Sequence, residues 1–318
     1  MTADANKTIA VIGAGSWGTA LALQFARAGS NVRLTGVVEL ELLEAMVTDR
    51  ENKRYLPDAV FPDNLNAYPD VEAALDGVRD ILVAVPSHGL RATLTKINPH
   101  LRPDSRICWA TKGFELHTGK LPHQVAAEVL GDDRSMAVLS GPTFAKEVGI
   151  GLPTAMTIAS NDETFAQALA RAISDENFRA YTSDDLIGVE VGGAIKNVLA
   201  IGAGMSDGLG FGANARVALI TRGLVELTRL GVALGAKQET LMGLAGMGDL
   251  VLTCTDNLSR NRRMGLALAS GKTVDEAKEE IQQVVEGVMA AEAVKEVADE
   301  LGKTPAETAV DLIVEDDS

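Results

Sequence analysis

The sequence holds only two cysteines, Cys108 and Cys254, far too few for a disulfide framework. Both lie in apolar segments, where a thiol acts as a small hydrophobe, and the pattern fits a reducing, cytoplasmic setting. Basic charge is also scarce: 29 Lys and Arg stand against 44 Asp and Glu, for a net charge of −15. That sign repels nucleic-acid phosphates, and no stripe of aromatics interleaves with basic residues, so no nucleic-acid partner is expected. Any anionic ligand must be held by a local basic pocket. No window reaches the ~18 unbroken apolar residues of a membrane span, and the amino terminus lacks the basic segment of a secretory signal, so no membrane insertion is expected. The four histidines, His88, His100, His117 and His123, show neither metal-ligand spacing nor a cysteine or carboxylate cluster, so no metal is expected.

What the chain does have is length for about two domains, with 318 residues of which 46% are apolar and 23% charged, the balance of a folded globular protein. Short apolar runs at Ile9–Ile12, Val32–Leu34, Ile81–Val85, Ile107–Ala110 and Met136–Leu139 alternate with stretches of helical character. That alternation predicts a doubly wound, mostly parallel sheet with helices on both faces. A further run, Thr154–Ala159, extends the sheet to about residue 185. From residue 188 the pattern becomes helical, at Gly188–Ala203, Ala215–Leu234, Arg263–Ser270, Val274–Ile281 and Ala290–Leu301. The expected division is therefore an α/β domain over 1–187 and an all-helical domain over 188–318, joined by a continuous helix.

Directly after the first apolar run stands Gly13-Ala14-Gly15-Ser16-Trp17-Gly18, opening a helix. In that context the first glycine serves a tight turn, the second lets backbone approach a pyrophosphate, and the third allows close helix–strand packing. The pyrophosphate then sits on the helix N-terminus, where free N–H groups and the helix dipole favour an anion. The first domain is thus read as a Rossmann-type fold holding NAD or NADP. The end of the second strand, Leu34-Thr35-Gly36-Val37-Val38, carries neither the acidic residue that would accept from a ribose 2′-OH nor a basic one for a 2′-phosphate, so the sequence leaves that choice open.

Ligands of such sheets bind beyond the carboxyl ends of the strands. Four of these ends are unusual: Gly13–Gly18, Pro86–His88, Thr111–Gly113 and Ser140–Glu147. Lys112 is placed there to hold a substrate oxygen, while Thr143 reads equally as a helix cap. In the second half, Lys196 and Asn197 interrupt a helix otherwise built of glycine and aliphatic residues. A lysine so buried needs a partner or a depressed pKa, and it reads as a general acid or base. Asp249, a lone carboxylate in an apolar run, is its natural partner. Ser259-Arg260-Asn261-Arg262-Arg263 packs three guanidinium groups into four positions, and Arg260 with Asn261 suits a planar grip on a phosphate.

These motifs, with Asn52-Lys53-Arg54-Tyr55-Leu56-Pro57 and Asp207–Asn214, make the chain resemble the bacterial, soluble NAD(P)-dependent glycerol-3-phosphate dehydrogenases from Ile9 to about Gly302. The resemblance implies reversible reduction of dihydroxyacetone phosphate to sn-glycerol 3-phosphate for phospholipid synthesis, by a homodimer. Lys196 would carry the proton at C2, Lys112 would contact substrate and cofactor, and Gly141, Thr143, Asp249, Ser259, Arg260 and Asn261 would complete the substrate pocket. Ser16, Trp17, Val37, Ala145, Arg260, Val284 and Glu286 stand at the remaining cofactor positions. Two departures follow from the resemblance. Relatives usually carry Arg or His where this chain has Val37, which predicts a weakened preference for NADPH. Relatives also continue by about another helix beyond the acidic Val314–Ser318, which predicts a more exposed helical domain or a weaker dimer contact. A hydroxy-acid dehydrogenase of the same architecture would not need Lys112, Ser259, Arg260 and Asn261 together, and a dinucleotide sensor would not need Lys196 and Asp249.

Overall fold

The computed structural model describes residues 8–37, 39–281 and 285–300, with residues 299 and 300 described by their backbone alone. The chain forms two compact units. One takes the chain up to Thr111 together with His123–Leu139 and Thr143–Leu186; the other takes Lys112–Pro122, Ser140–Pro142 and the chain from Ile187. The main boundary thus lies one residue before the expected joint. Two short excursions of the first half, including Lys112 and Gly141, belong to the second unit.

The first unit is built from β1 (Thr8–Ile12), α1 (Ser16–Arg27), β2 (Asn31–Thr35), α2 (Leu40–Asp49), the hairpin β3 (Glu51–Asn52) and β4 (Leu56–Val60), and β5 (Leu65–Ala67). There follow α3 (Val71–Leu75), β6 (Asp80–Val83), α4 (Ser87–Ile97), β7 (Arg106–Trp109), α5 (Pro122–Leu130), β8 (Met136–Ser140), α6 (Ala145–Gly149), β9 (Thr154–Ser160), α7 (Glu163–Ile173) and β10 (Phe178–Ser183). Eight strands make one sheet in the order β10-β9-β8-β7-β6-β1-β2-β5. β1 pairs in parallel with both β2 and β6, so the strand order reverses there, and a topological switch point opens beside the first glycine turn. The central strands are buried on both faces, which is why they read as continuous apolar runs. β5 and β10 went unseen in the sequence because edge strands keep one side in solvent and lack such runs; β10 buries only Phe178 fully. Among the buried polar residues of the sheet is Arg106, which donates through Nε and Nη2 to the two carboxylate oxygens of Asp80 on the adjacent strand, both at 2.7 Å, and lies over the Phe165 ring.

The second unit contains α8 (Leu186–Gly208), α9 (Gly212–Ala233), α10 (Gln238–Leu241), a π-turn at Leu244–Gly248, α11 (Asp249–Thr255), α12 (Arg260–Ala269), α13 (Val274–Ile281) and α14 (Glu286–Glu300). Its core packs Val191, Ala194, Val198 and Leu199 of α8 against Leu227, Leu230, Leu241 and Leu250, with Ala291 and Val294 of α14. Among the described residues α8 is the one helix long and apolar enough to cross a membrane, and nearly all of it is buried within the protein. The stretch 249–254, expected as an apolar run, is a helix. Its π-turn entry breaks the 3.6-residue period that would have announced it.

Candidate active site

The glycine loop belongs to the first unit. Gly13 has φ +120°, and a Cβ there would meet the Ala84 carbonyl oxygen at 2.4 Å; a Cβ on Gly18 would come within 1.8 Å of the Gly13 oxygen. Only glycine fits at either position. Gly15 differs, because a Cβ on it would meet nothing within 4 Å. That free space lies at the N-terminus of α1, whose Ncap is Gly15 and which has neither a side-chain cap nor an acidic residue in its first turn. The buried Trp17 Nε1 and Thr35 Oγ1 have no hydrogen-bond partner among the described residues. Uncapped N–H groups, space over Gly15 and polar atoms awaiting partners fit a dinucleotide pyrophosphate and ribose.

The second unit assembles charge. Lys112 follows β7, Lys196 lies in the middle of α8, and Asp249 opens α11. Lys112 Nζ donates to Asp249 Oδ2 at 2.6 Å, and Lys196 Nζ pairs with Asp249 Oδ1 at 2.9 Å. Asp249 is 1% exposed and Lys196 7%. Burial opposes the charge on Asp249, but the two ammonium groups and their hydrogen bonds overrule it, and the carboxyl titrates below its ordinary value. For Lys196 burial wins. Desolvation, aided by the charge of Lys112, lowers its pKa against the attraction of Asp249. Thr253, four residues after Asp249 on the same helix face, accepts from Lys196 Nζ at 3.0 Å and donates to the Asp249 carbonyl at 2.6 Å. Sequence reasoning missed it, although a hydroxyl at i+4 from the carboxylate was a usable signal. An ammonium has three donors, and two of those on Lys196 are engaged, which leaves one for a substrate oxygen.

Around this centre the expected residues separate. Gly287 N–H donates to Asn261 Oδ1 at 2.9 Å, Asn261 Nδ2 donates to Asn197 Oδ1 at 2.9 Å, and Asn197 Nδ2 donates to Glu286 at 3.3 Å, so Asn261 and Glu286 are joined through Asn197. The three guanidinium groups do not act as one. Arg262 is buried and binds Asp207 at 2.5 Å, Arg263 is exposed, and Arg260 is half-buried with no ion pair among the described residues. Ser259 caps α12, accepting from the Arg262 N–H at 3.2 Å. Gly141 is buried; Ser140 before it is 1% exposed, and its Oγ has no partner among the described residues. A Cβ on Gly193 would lie 3.2 Å from that Oγ and 3.4 Å from the Lys112 side chain, so glycine there lets both lie against α8.

Thr143, Ala145 and Val37 lie in the first unit, and Arg260 lies in the second. The capping role weighed for Thr143 is not seen: α6 takes Phe144 as its Ncap, with no side-chain cap. Val284 and the segment 303–318 fall outside the described residues. No group of three or more His, Cys, Asp or Glu able to hold a metal occurs among the described residues.

Residues 8–166 match the family described as NAD-dependent glycerol-3-phosphate dehydrogenase N-terminus, and residues 185–318 match its C-terminus. The chain belongs to the NAD-dependent glycerol-3-phosphate dehydrogenase family. A glycerol-3-phosphate dehydrogenase [NAD(P)+] of Vibrio campbellii is 59% identical over 278 residues, 87% of this chain and 80% of that one. The crystal structure of glycerol-3-phosphate dehydrogenase from Coxiella burnetii is 48% identical with a TM-score of 0.94, over 98% of this chain and 95% of that one. The yeast glycerol-3-phosphate dehydrogenase superposes with a TM-score of 0.84 at 27% identity, over 97% of this chain and 96% of that one.

Proposed function

We propose that this family member catalyses reversible hydride transfer between NAD(P)H and dihydroxyacetone phosphate, giving sn-glycerol 3-phosphate. The observation that carries the reading is one buried carboxylate shared by two ammonium groups, Lys112 and Lys196. With both lysines protonated the trio has a net charge of +1, which suits a small phosphorylated substrate in an otherwise acidic protein.

Gly13, Gly15 and Gly18, with Ser16 and Trp17, would hold the dinucleotide at the N-terminus of α1. Val37, Lys112, Ala145, Arg260, Val284 and Glu286 stand at the family's remaining dinucleotide positions. When bound, the nicotinamide supplies the hydride for reduction and accepts it for oxidation. Lys196 gives its proton to the C2 oxygen during reduction and takes it back in the reverse direction; Asp249 and Thr253 aim the ammonium. Asp249 is itself held ionised and so has no proton to give. Lys112 adds a second ammonium toward the oxygen that gains charge, and charge stabilisation by such fixed donors is commonly the largest contribution to a barrier of this kind. Arg260 grips the phosphate as a planar fork, and Gly141, Thr143, Ser259 and Asn261 close the pocket.

An exposed apolar stripe supports the homodimer: Phe211, Ala218, Val225 and Val232 recur every seventh residue into and along α9. The free, buried thiols of Cys108 and Cys254 support a cytoplasmic location. The deciding assay follows the absorbance of NADH and of NADPH on adding dihydroxyacetone phosphate to the full chain. Steady oxidation is expected. Turnover of a 2-oxo acid with none of the keto phosphate would instead assign a hydroxy-acid dehydrogenase.

A further inference from the structure

The tip of β2 is where a dinucleotide's adenosine ribose is read, and the sequence places no basic residue there. The fold supplies one from elsewhere. Lys96, in the last turn of α4 and 59 residues away in sequence, is exposed and extends its Nζ to within 3.2 Å of the Val37 carbonyl oxygen. A lysine in a last helical turn serves the helix dipole wherever it points. Here it points to the turn that follows β2.

The acidic residue of the same turn is already engaged. Glu39 Oε1 accepts from the Tyr55 hydroxyl at 2.8 Å and pairs with Arg54 at 3.0 Å, so its charge is offset and its oxygen occupied by side chains of the β3–β4 hairpin. An ionised carboxylate facing the 2′ position would favour a free hydroxyl and repel a phosphate. A tied Glu39 does neither with full strength, whereas Lys96 has donors to spare: a carbonyl takes one of its three N–H groups.

We infer that Lys96 is a specificity-determining residue that binds the 2′-phosphate of NADP(H), standing in for the basic residue missing at Val37. The inference rests on the dinucleotide reading above and reverses the weakened NADPH preference that Val37 alone implies. The contact is between an exposed ammonium and a phosphate dianion, so it is electrostatic and weakens as salt rises.

The test uses two adenosine probes on the full chain, followed by isothermal titration: adenosine 2′,5′-bisphosphate, which carries the 2′-phosphate, and adenosine 5′-monophosphate, which lacks it. Lys96→Ala is expected to weaken binding of the bisphosphate about 10-fold while leaving the monophosphate within about twofold, and Lys96→Arg is expected to restore the bisphosphate. Equal losses for both probes, or no loss for either, would overturn the role of Lys96. Failure of the wild-type chain to bind either probe would be a different result, because it would remove the dinucleotide site itself and this inference with it.

Discussion

The glycine loop and the lysine–aspartate cluster solve opposite problems. In the loop, the proposed function depends on side chains that are absent: backbone meets backbone at Gly13 and Gly18, and a Cβ on Gly15 would meet nothing within 4 Å, space that the proposed dinucleotide would use. In the cluster, function depends on side chains held at a cost, since the Lys196 ammonium and the Asp249 carboxylate are buried, the Lys112 ammonium is partly so, and each is tolerable only because the others are present. Removing one partner of a buried ion pair costs about 3–5 kcal/mol. The first site should therefore respond to added atoms and the second to lost charge.

The sharpest way to break the comparison is Lys196→Ala. Loss of the acid–base group is expected to lower kcat by roughly 10²–10⁴-fold with dinucleotide affinity intact, as read by stopped-flow turnover and a separate binding titration. A near-normal rate would remove Lys196 from the chemistry. Next in size, Asp249→Asn strands two ammonium groups and should cost about 3–5 kcal/mol in urea unfolding.

The pH dependence of that loss has a defined sign. Asp249 titrates below its unfolded value, so its contribution is present above about pH 4 and vanishes as pH falls through its folded pKa; the gap between wild type and variant should close in acid. Lys196 titrates below the ordinary value of about 10.4, so the rate of reduction, which needs the ammonium, should fall as pH rises through a point below that value, with the oxidation rate moving the other way. Asp249→Asn removes an attraction that holds the proton on Lys196, and the residual reductase limb should move to lower pH.

In the loop, Gly18→Ala and Gly15→Ala form the discriminating pair. The first forces a Cβ against the Gly13 oxygen and should destabilise the fold by roughly 1–3 kcal/mol. The second should leave thermal unfolding unchanged and weaken only dinucleotide binding. Equal unfolding behaviour of the two would refute the division between packing and ligand glycines. The smallest effect is expected from Val37→Arg in a Lys96→Ala background, which should recover affinity for adenosine 2′,5′-bisphosphate by roughly 5- to 10-fold, because either residue can place a cation at the β2 tip.

The parts of the molecule that were legible in the sequence are those with a local period. Buried parallel strands show as apolar runs, the glycine turn shows by spacing, and a lysine inside an aliphatic helix shows by contrast with its neighbours. Thr253 was missed because a single hydroxyl has no period, and Ser140 was seen only as part of an unusual strand end. Arg262 was grouped with Arg260 because adjacency in sequence conceals that successive helical residues point about 100° apart, one toward Asp207 and the others elsewhere.

By itself the sequence determined the order of a dinucleotide-binding half and a helical half, the glycine turn, and the identities of Lys112, Lys196 and Asp249. Only the tertiary structure decided that Lys112 belongs with the second unit, that one carboxylate serves both lysines, and that Lys96 reaches the turn after β2. Propensity and periodicity act over a few residues. Charge pairing and burial act over distances in space that the chain closes only by folding, as between Lys112 and Asp249, 137 positions apart.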